Sequence, residues 1–264
     1  MIKKLLNYIF LTVEVVKLNI LSAMEYRIAF LTQVGGMILN DACWLFLWYL
    51  FFTRFPSIHG WDLHDTLILF SFNMANYGLY KIFTAHSTEI AHDIAQGNLD
   101  YFMTLPKNVL WQVSTSETSI SAIGDVIFGV GLFLFLGFSF PQFLLYILLC
   151  LVTATIFYSF TVILQSLAFF LGNFEETADR LLNLLMGLTF YPSTTFSGIF
   201  KVFTFTILPV FFIVWAPVEI MKLFTWTKLG MIAGFATLIF MIAVWVFNRG
   251  IRRYESGNLI NVKM

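Results

Sequence analysis

The chain has 264 residues, of which 11% are charged and 59% hydrophobic, with 15 basic and 15 acidic side chains. A soluble domain carries about 25% charged residues, so this composition excludes one. Zero net charge gives no reason to expect a nucleic-acid partner.

The apolar residues fall into separate runs near the ~20 residues needed to cross a bilayer. The alternating ten-residue segments of a β-barrel are absent. The predicted class is an all-α polytopic membrane protein forming a single transmembrane domain over 1–264. Residues 3–27 alternate Lys3, Lys4, Asn7, Glu14, Lys17, Asn19, Glu25 and Arg27 with apolar residues. That pattern predicts an amphipathic helix lying at the membrane surface. Spans are predicted at 28–52, 66–84, 114–138, 143–171, 181–191 and 229–247. The first ends in Trp44, Trp48, Tyr49, Phe51 and Phe52, a pattern typical of a membrane interface. The third carries Gly124, Gly129, Gly131 and Gly137, small enough for helices to approach closely in lipid. Cys43 and Cys150 sit inside apolar runs and read as small buried residues. The apolar start lacks a small-residue cleavage site, so no cleavable signal is expected.

Two stretches break the pattern. Residues 86–110 lie between the second and third runs and carry His86, Glu89, His92, Asp93 and Asp100. A polar segment of that length must meet water or the membrane surface. Gly97 predicts a helix stop, and Pro106 a second break. Residues 191–227 are apolar but interrupted by Pro192, Gly198, Lys201, Pro209, Pro217 and Glu219. No clean span fits there, so short re-entrant half-helices are predicted.

Six spans put both termini on one side. That side collects Lys3, Lys4, Lys17, Arg27, Lys81, Lys107, Arg180, Arg249, Arg252, Arg253 and Lys263; the other has Arg54, Lys201, Lys222 and Lys228. The positive excess predicts that the first side, with 86–110 and both termini, is cytoplasmic.

The pattern Ile94-x-x-Gly97-x-Leu99-Asp100-x-x-Met103-x-x-Pro106 resembles the cytoplasmic loop of the ABC-2 type permeases. Tyr191-Pro192, Phe196-x-Gly198, Leu208-Pro209 and Ala216-Pro217 resemble the outer segment of the same family. With the length and topology, the resemblance covers nearly the whole chain. The family often places a basic residue before the loop proline, where this chain has Leu105.

The resemblance implies the membrane half of an ATP-driven exporter in the bacterial cytoplasmic (inner) membrane. Two permease subunits, identical or related, would form the pathway, and two copies of a separate ATPase would bind ATP and Mg below. Asp93, Gly97, Leu99, Asp100 and Pro106 would couple to that ATPase. Tyr191, Pro192, Phe196, Gly198, Pro209 and Pro217 would form an outer gate. No G-x-x-x-x-G-K followed by Ser or Thr occurs, so no cofactor is expected in the chain itself.

Asp41, Asp125 and Glu219 stand apart as acids in or near apolar runs. Intramembrane acids are costly and often functional. They read as a polar lining, as an interhelical contact, or as residues near a span end. Glu219 and Lys222, at i,i+3, have the spacing of an ion pair. An ion-gradient transporter or channel using Asp41 or Asp125 is the alternative function. Neither histidine pair has metal-site spacing, and no nucleophile motif supports an enzyme.

Overall fold

Apolar residues at helical spacing, punctuated by glycine and proline, dictate helices from end to end. The structure is a computed structural model and describes residues 2–58 and 60–255, with side chains from residue 6 onward. His59 and Lys263, and the side chains of Lys3 and Lys4, lie outside the described residues. Among the described residues there is no β-strand.

Helix α1 (Ile2–Glu25) breaks for one residue, Tyr26, before α2 (Arg27–Arg54). Helix α3 (Leu63–Thr84) starts at Asp62, whose carboxylate accepts the Asp65 N–H at 2.8 Å. That bond satisfies one orphan donor of the first turn. A tight 3₁₀ turn (Ala85–Glu89) leads into the short helices α4 (Ile90–Gln96), α5 (Leu99–Met103) and α6 (Val109–Thr115). Then come α7 (Ala122–Phe135), α8 (Phe140–Ser166) and its continuation α9 (Ala168–Leu171). Helix α10 (Glu175–Thr189) precedes α11 (Gly198–Thr206). A π turn at Phe211–Trp215 runs into α12 (Ala216–Lys222), and α13 (Trp226–Ile251) closes the described chain.

Among the described residues, four segments are long and apolar enough to cross a membrane: Leu6–Glu25, Arg27–Arg54, Phe140–Leu171 and Trp226–Ile251. The pair Gly198–Thr206 and Phe211–Lys222, bent by 75°, makes a fifth if it is counted as one span. This differs from six even runs in three ways. The first helix, predicted to lie at the membrane surface, has the length and composition to cross it. The run at 114–138 is interrupted between Thr115 and Ala122, leaving α7 with 14 residues. The break is held from outside: Asn19 Nδ2 donates to the Ser116 carbonyl at 3.2 Å, and the Ser119 N–H donates to the Lys81 carbonyl at 3.1 Å. The run at 66–84 does form a helix, but its polar side chains are turned into protein.

That helix, α3, is the centre of the fold. Every residue from Ile68 to Ala75 is buried. It packs against α2, α7, α8, α12 and the π turn. Its contact with α7 is made at glycine. A Cβ on Gly129 would sit 2.6 Å from the Ala75 nitrogen, and one on Gly78 would sit 2.8 Å from the Ala122 carbonyl oxygen. Backbones this close exclude any larger residue. Ser71 Oγ donates to the Gly129 carbonyl at 2.8 Å, and the Tyr146 hydroxyl of α8 donates to the Ser71 carbonyl at 3.0 Å. The Tyr146 ring stacks on Phe133 of α7, centroids 3.9 Å apart. Three helices are thereby joined at one point.

Gly129→Val is expected to destabilise the protein by about 1–3 kcal/mol through forced separation of α3 and α7. Gly131→Val, on the same helix with nothing within 4 Å of its Cβ position, is expected to leave stability unchanged. Thermal unfolding of both variants in detergent measures the difference.

Candidate functional site

The predicted loop at 86–110 folds into a platform of short helices. Its first stop is Gly97, with φ of +79°. That left-handed conformation suits glycine and lets the Gly97 and Asn98 N–H groups both turn back to the Asp93 carbonyl. Helix α6 restarts at Asn108, whose side chain accepts the Trp111 N–H at 3.2 Å.

The platform has an apolar underside. Ile90, Leu99, Leu110 and Val113 are buried together with Val162 of α8 and with Ala243 and Phe247 of α13. Two polar ties reinforce this floor. The Ala91 N–H donates to Gln165 Oε1 at 3.1 Å, and Gln165 Nε2 donates to Asp179 at 3.1 Å. His92 Nδ1 lies 3.2 Å from Glu175 at the start of α10. Helix α1 grips the other end: the Asn108 N–H donates to the Tyr8 hydroxyl at 3.3 Å, and Lys107 lies over the Tyr8 ring. The platform thus touches α1, α8, α10 and α13 at once.

The predicted coupling residues divide between the two faces. Leu99 is fully buried and belongs to the floor. Asp93, also in the predicted coupling set, is 3% exposed and points inward. Its carboxylate faces His86 Nε2 at 2.8 Å and accepts from Asn98 Nδ2 at 3.2 Å. Asp100 and Pro106 are exposed. The same outer surface includes Tyr101, Met103 and Thr104. His86, Asn98 and Gln165 are absent from the predicted set. The i,i+7 spacing of His86 and Asp93, two helical turns, was the available signal for the first of them.

His86 also faces Glu117, 3.3 Å from Nδ1. Burial by itself lowers the His86 pKa, but the bonds and charges of Asp93 and Glu117 outweigh it and hold the value above the ordinary one. The imidazolium then donates from Nε2 to Asp93, with Glu117 beside Nδ1 as a second negative charge.

At the opposite end, the segment 191–227 is held by Trp215, whose indole N–H donates to the Tyr191 carbonyl at 2.9 Å. The Phe196 ring lies 5.6 Å from that of Trp215. Pro192 starts the connection to α11, Gly198 takes a φ of +59°, Pro209 lies in the bend, and Pro217 sits in the first turn of α12. The proposed Glu219–Lys222 pair does not form. Lys222 instead donates to Asp65 at 2.6 Å, and Lys228 donates to Glu219 at 3.0 Å. Asp62, His64 and Asp65 bring metal-ligand atoms within 4.8 Å of one another, with the Lys222 ammonium neutralising Asp65. Asp41 and Asp125 are buried between α2 and α7.

Fold and platform together define a polytopic helical membrane protein whose largest polar element rests on the ends of its helices. A model of the ABC-2 family transporter proteins matches residues 38–257, and the chain belongs to that family. It is the permease component of an ATP-binding-cassette transporter, the transmembrane part that works with an ATP-binding subunit. Comparisons with curated proteins and with solved structures give no match.

The raised His86 pKa has a definite sign. The charged histidine stabilises the platform below its unfolded value, about 6.5. That contribution is lost as pH rises through the higher folded value. Wild-type melting temperature is therefore expected to fall over this window more steeply than that of His86→Gln. A pH series of thermal unfolding curves checks it.

Proposed function

We propose that this permease is half of an ATP-driven exporter of the bacterial cytoplasmic membrane, with residues 86–110 as the element that receives the ATPase stroke. The observation that carries the reading is the two-faced platform. One face is an exposed strip of Asp100, Tyr101, Met103, Thr104 and Pro106. The other is an apolar floor continuous with α8 and α13. A push on the strip is passed directly to two long helices, because close-packed interiors transmit displacement.

The remaining features are consistent with this role. No phosphate-binding loop motif occurs in the sequence, which fits ATP being bound by a separate subunit. The excess of Lys and Arg supports a cytoplasmic platform and cytoplasmic termini. In this reading α1 lies along the membrane surface, and α2, α3, α7, α8, α10 and α13 are the six crossings, of which α2, α8 with α9, and α13 are long and apolar enough on their own. The bent segment Gly198–Lys222 closes the pathway on the outer side. Two such subunits, identical or related, meet through α2 and α10 above two ATPase copies that hold ATP and Mg. Alternation then follows from ATP-driven approach of the ATPases, transmitted as helix movement at the subunit interface.

Tyrosine is enriched among residues that dominate binding energy at interfaces. Tyr101→Ala combined with Met103→Asp is expected to weaken ATPase binding at least about tenfold, equivalent to ~1.4 kcal/mol. Insertion and melting temperature should stay near wild type, since both side chains are exposed. Co-purification of the tagged permease with its ATPase measures the loss. Full ATPase retention and transport by the double variant would remove the platform from the coupling path.

A further inference from the structure

Asp41 and Asp125 are buried acids whose carboxyl oxygens have no hydrogen-bond partner among the described residues. Asp41 lies midway along α2, ~20 Å from either end at the helical rise. It is 0% exposed and Asp125 is 1% exposed. The two carboxyl groups face each other across the contact between α2 and α7. That contact is close: a Cβ on Gly124 would sit 2.6 Å from the Val34 carbonyl oxygen. None of the four carboxyl oxygens accepts a hydrogen bond from a described residue. No described lysine, arginine or histidine pairs with either carboxyl.

The surroundings offer no other counter-charge. From α2 itself, Asn40 flanks Asp41 without reaching hydrogen-bonding geometry. From α3, the backbone at Gly78 abuts the Asp125 side chain, and Tyr77 contributes a neutral phenol within the field of Asp125. Two ionised carboxylates in contact here would repel by about 4 kcal/mol at 4 Å, even with an effective dielectric of 20. Each would also have lost its hydration. A proton removes both problems, because it cancels one charge and supplies the missing donor. Paired carboxyls elsewhere solve the same problem by sharing a proton.

We propose that Asp41 and Asp125 form a proton-binding site in which at least one carboxyl stays protonated at neutral pH and donates to the other, clasping α2 to α7. Most of the remaining surface of α2 is exposed: only Asp41 and Phe52 on it are buried. Movement of α2 away from α7 therefore hydrates the pair and releases its proton. The site neither requires nor excludes the ATPase-docking role of residues 86–110.

Two measurements test it on the purified full-length protein in lipid. Infrared spectra at neutral pH are expected to show a protonated carboxylic-acid carbonyl band that disappears in Asp41→Asn/Asp125→Asn. An unchanged band in that double variant overturns the proposal. In thermal unfolding, Asp125→Asn keeps a donor for Asp41 and is expected to melt with the wild type. Asp125→Ala strands Asp41 and is expected to lose roughly 5–10 °C. Acidification from about pH 8 to pH 5 recovers part of that loss by protonating the lone Asp41. Identical melting of the Asn and Ala variants at every pH would also overturn it. Should Asp125→Ala fail to fold, the infrared comparison decides alone.

Discussion

The close backbone approach of α3 and α7 is the constraint on which the rest of the structure depends. In lipid there is no hydrophobic gain from bringing two apolar helices together, so packing and hydrogen bonds must do it. Gly78 and Gly129 remove the side chains that would hold the helices apart. Ser71 and Tyr146 then supply the polar contacts, and Tyr146 brings α8 into the same junction. With α3 fixed, α2 and α12 find their places against it, and the platform at 85–115 is set by where α3 ends and α7 begins.

The ends of the molecule are treated differently. At the platform end, His86 gathers Asp93 and Glu117, and the cluster is partly sheltered from water. At the other end, Lys222 and Lys228 tie α12 to the start of α3 and to the start of α13. Lys222 also lies 5.7 Å from the ring centre of Trp61, within cation–π range. The Lys222 contacts join residues far apart in sequence, and together with the local Lys228–Glu219 pair they hold the bent segment against the bundle. Both pairs are partly buried, with the Asp65 carboxylate sheltered from water.

Helices with strong apolar patterns were legible in the sequence. The predicted 28–52, 66–84 and 229–247 fall within α2, α3 and α13. Gly97 was legible as a stop because a left-handed residue after a helix has a local cause. The interruption after Thr115 was not, since it depends on Asn19 and Lys81, distant in the chain. The direction of Asp93 was hidden for a similar reason: a polar residue on a short helix has two possible sides, and His86 decides which. Glu219 and Lys222 have the spacing of a pair, but Asp65, 157 positions from the lysine, takes it instead. Local rules fixed where helices begin and end. Long-range pairing decided which polar groups were spent inside the protein and which remained for a partner.

The position of Asp41 has a consequence for biogenesis. The ribosome makes α2 long before α7, so α2 enters the bilayer with an acid at its centre and no partner. On insertion scales such a residue costs about 2.5–3.5 kcal/mol. The surrounding aliphatic and aromatic residues of α2 must carry that cost until Asp125 is synthesised. When α7 arrives, the defect is relieved by the contact between the two helices. A residue that hinders the entry of one helix thus selects its neighbour, and the order of synthesis becomes part of how the bundle is assembled.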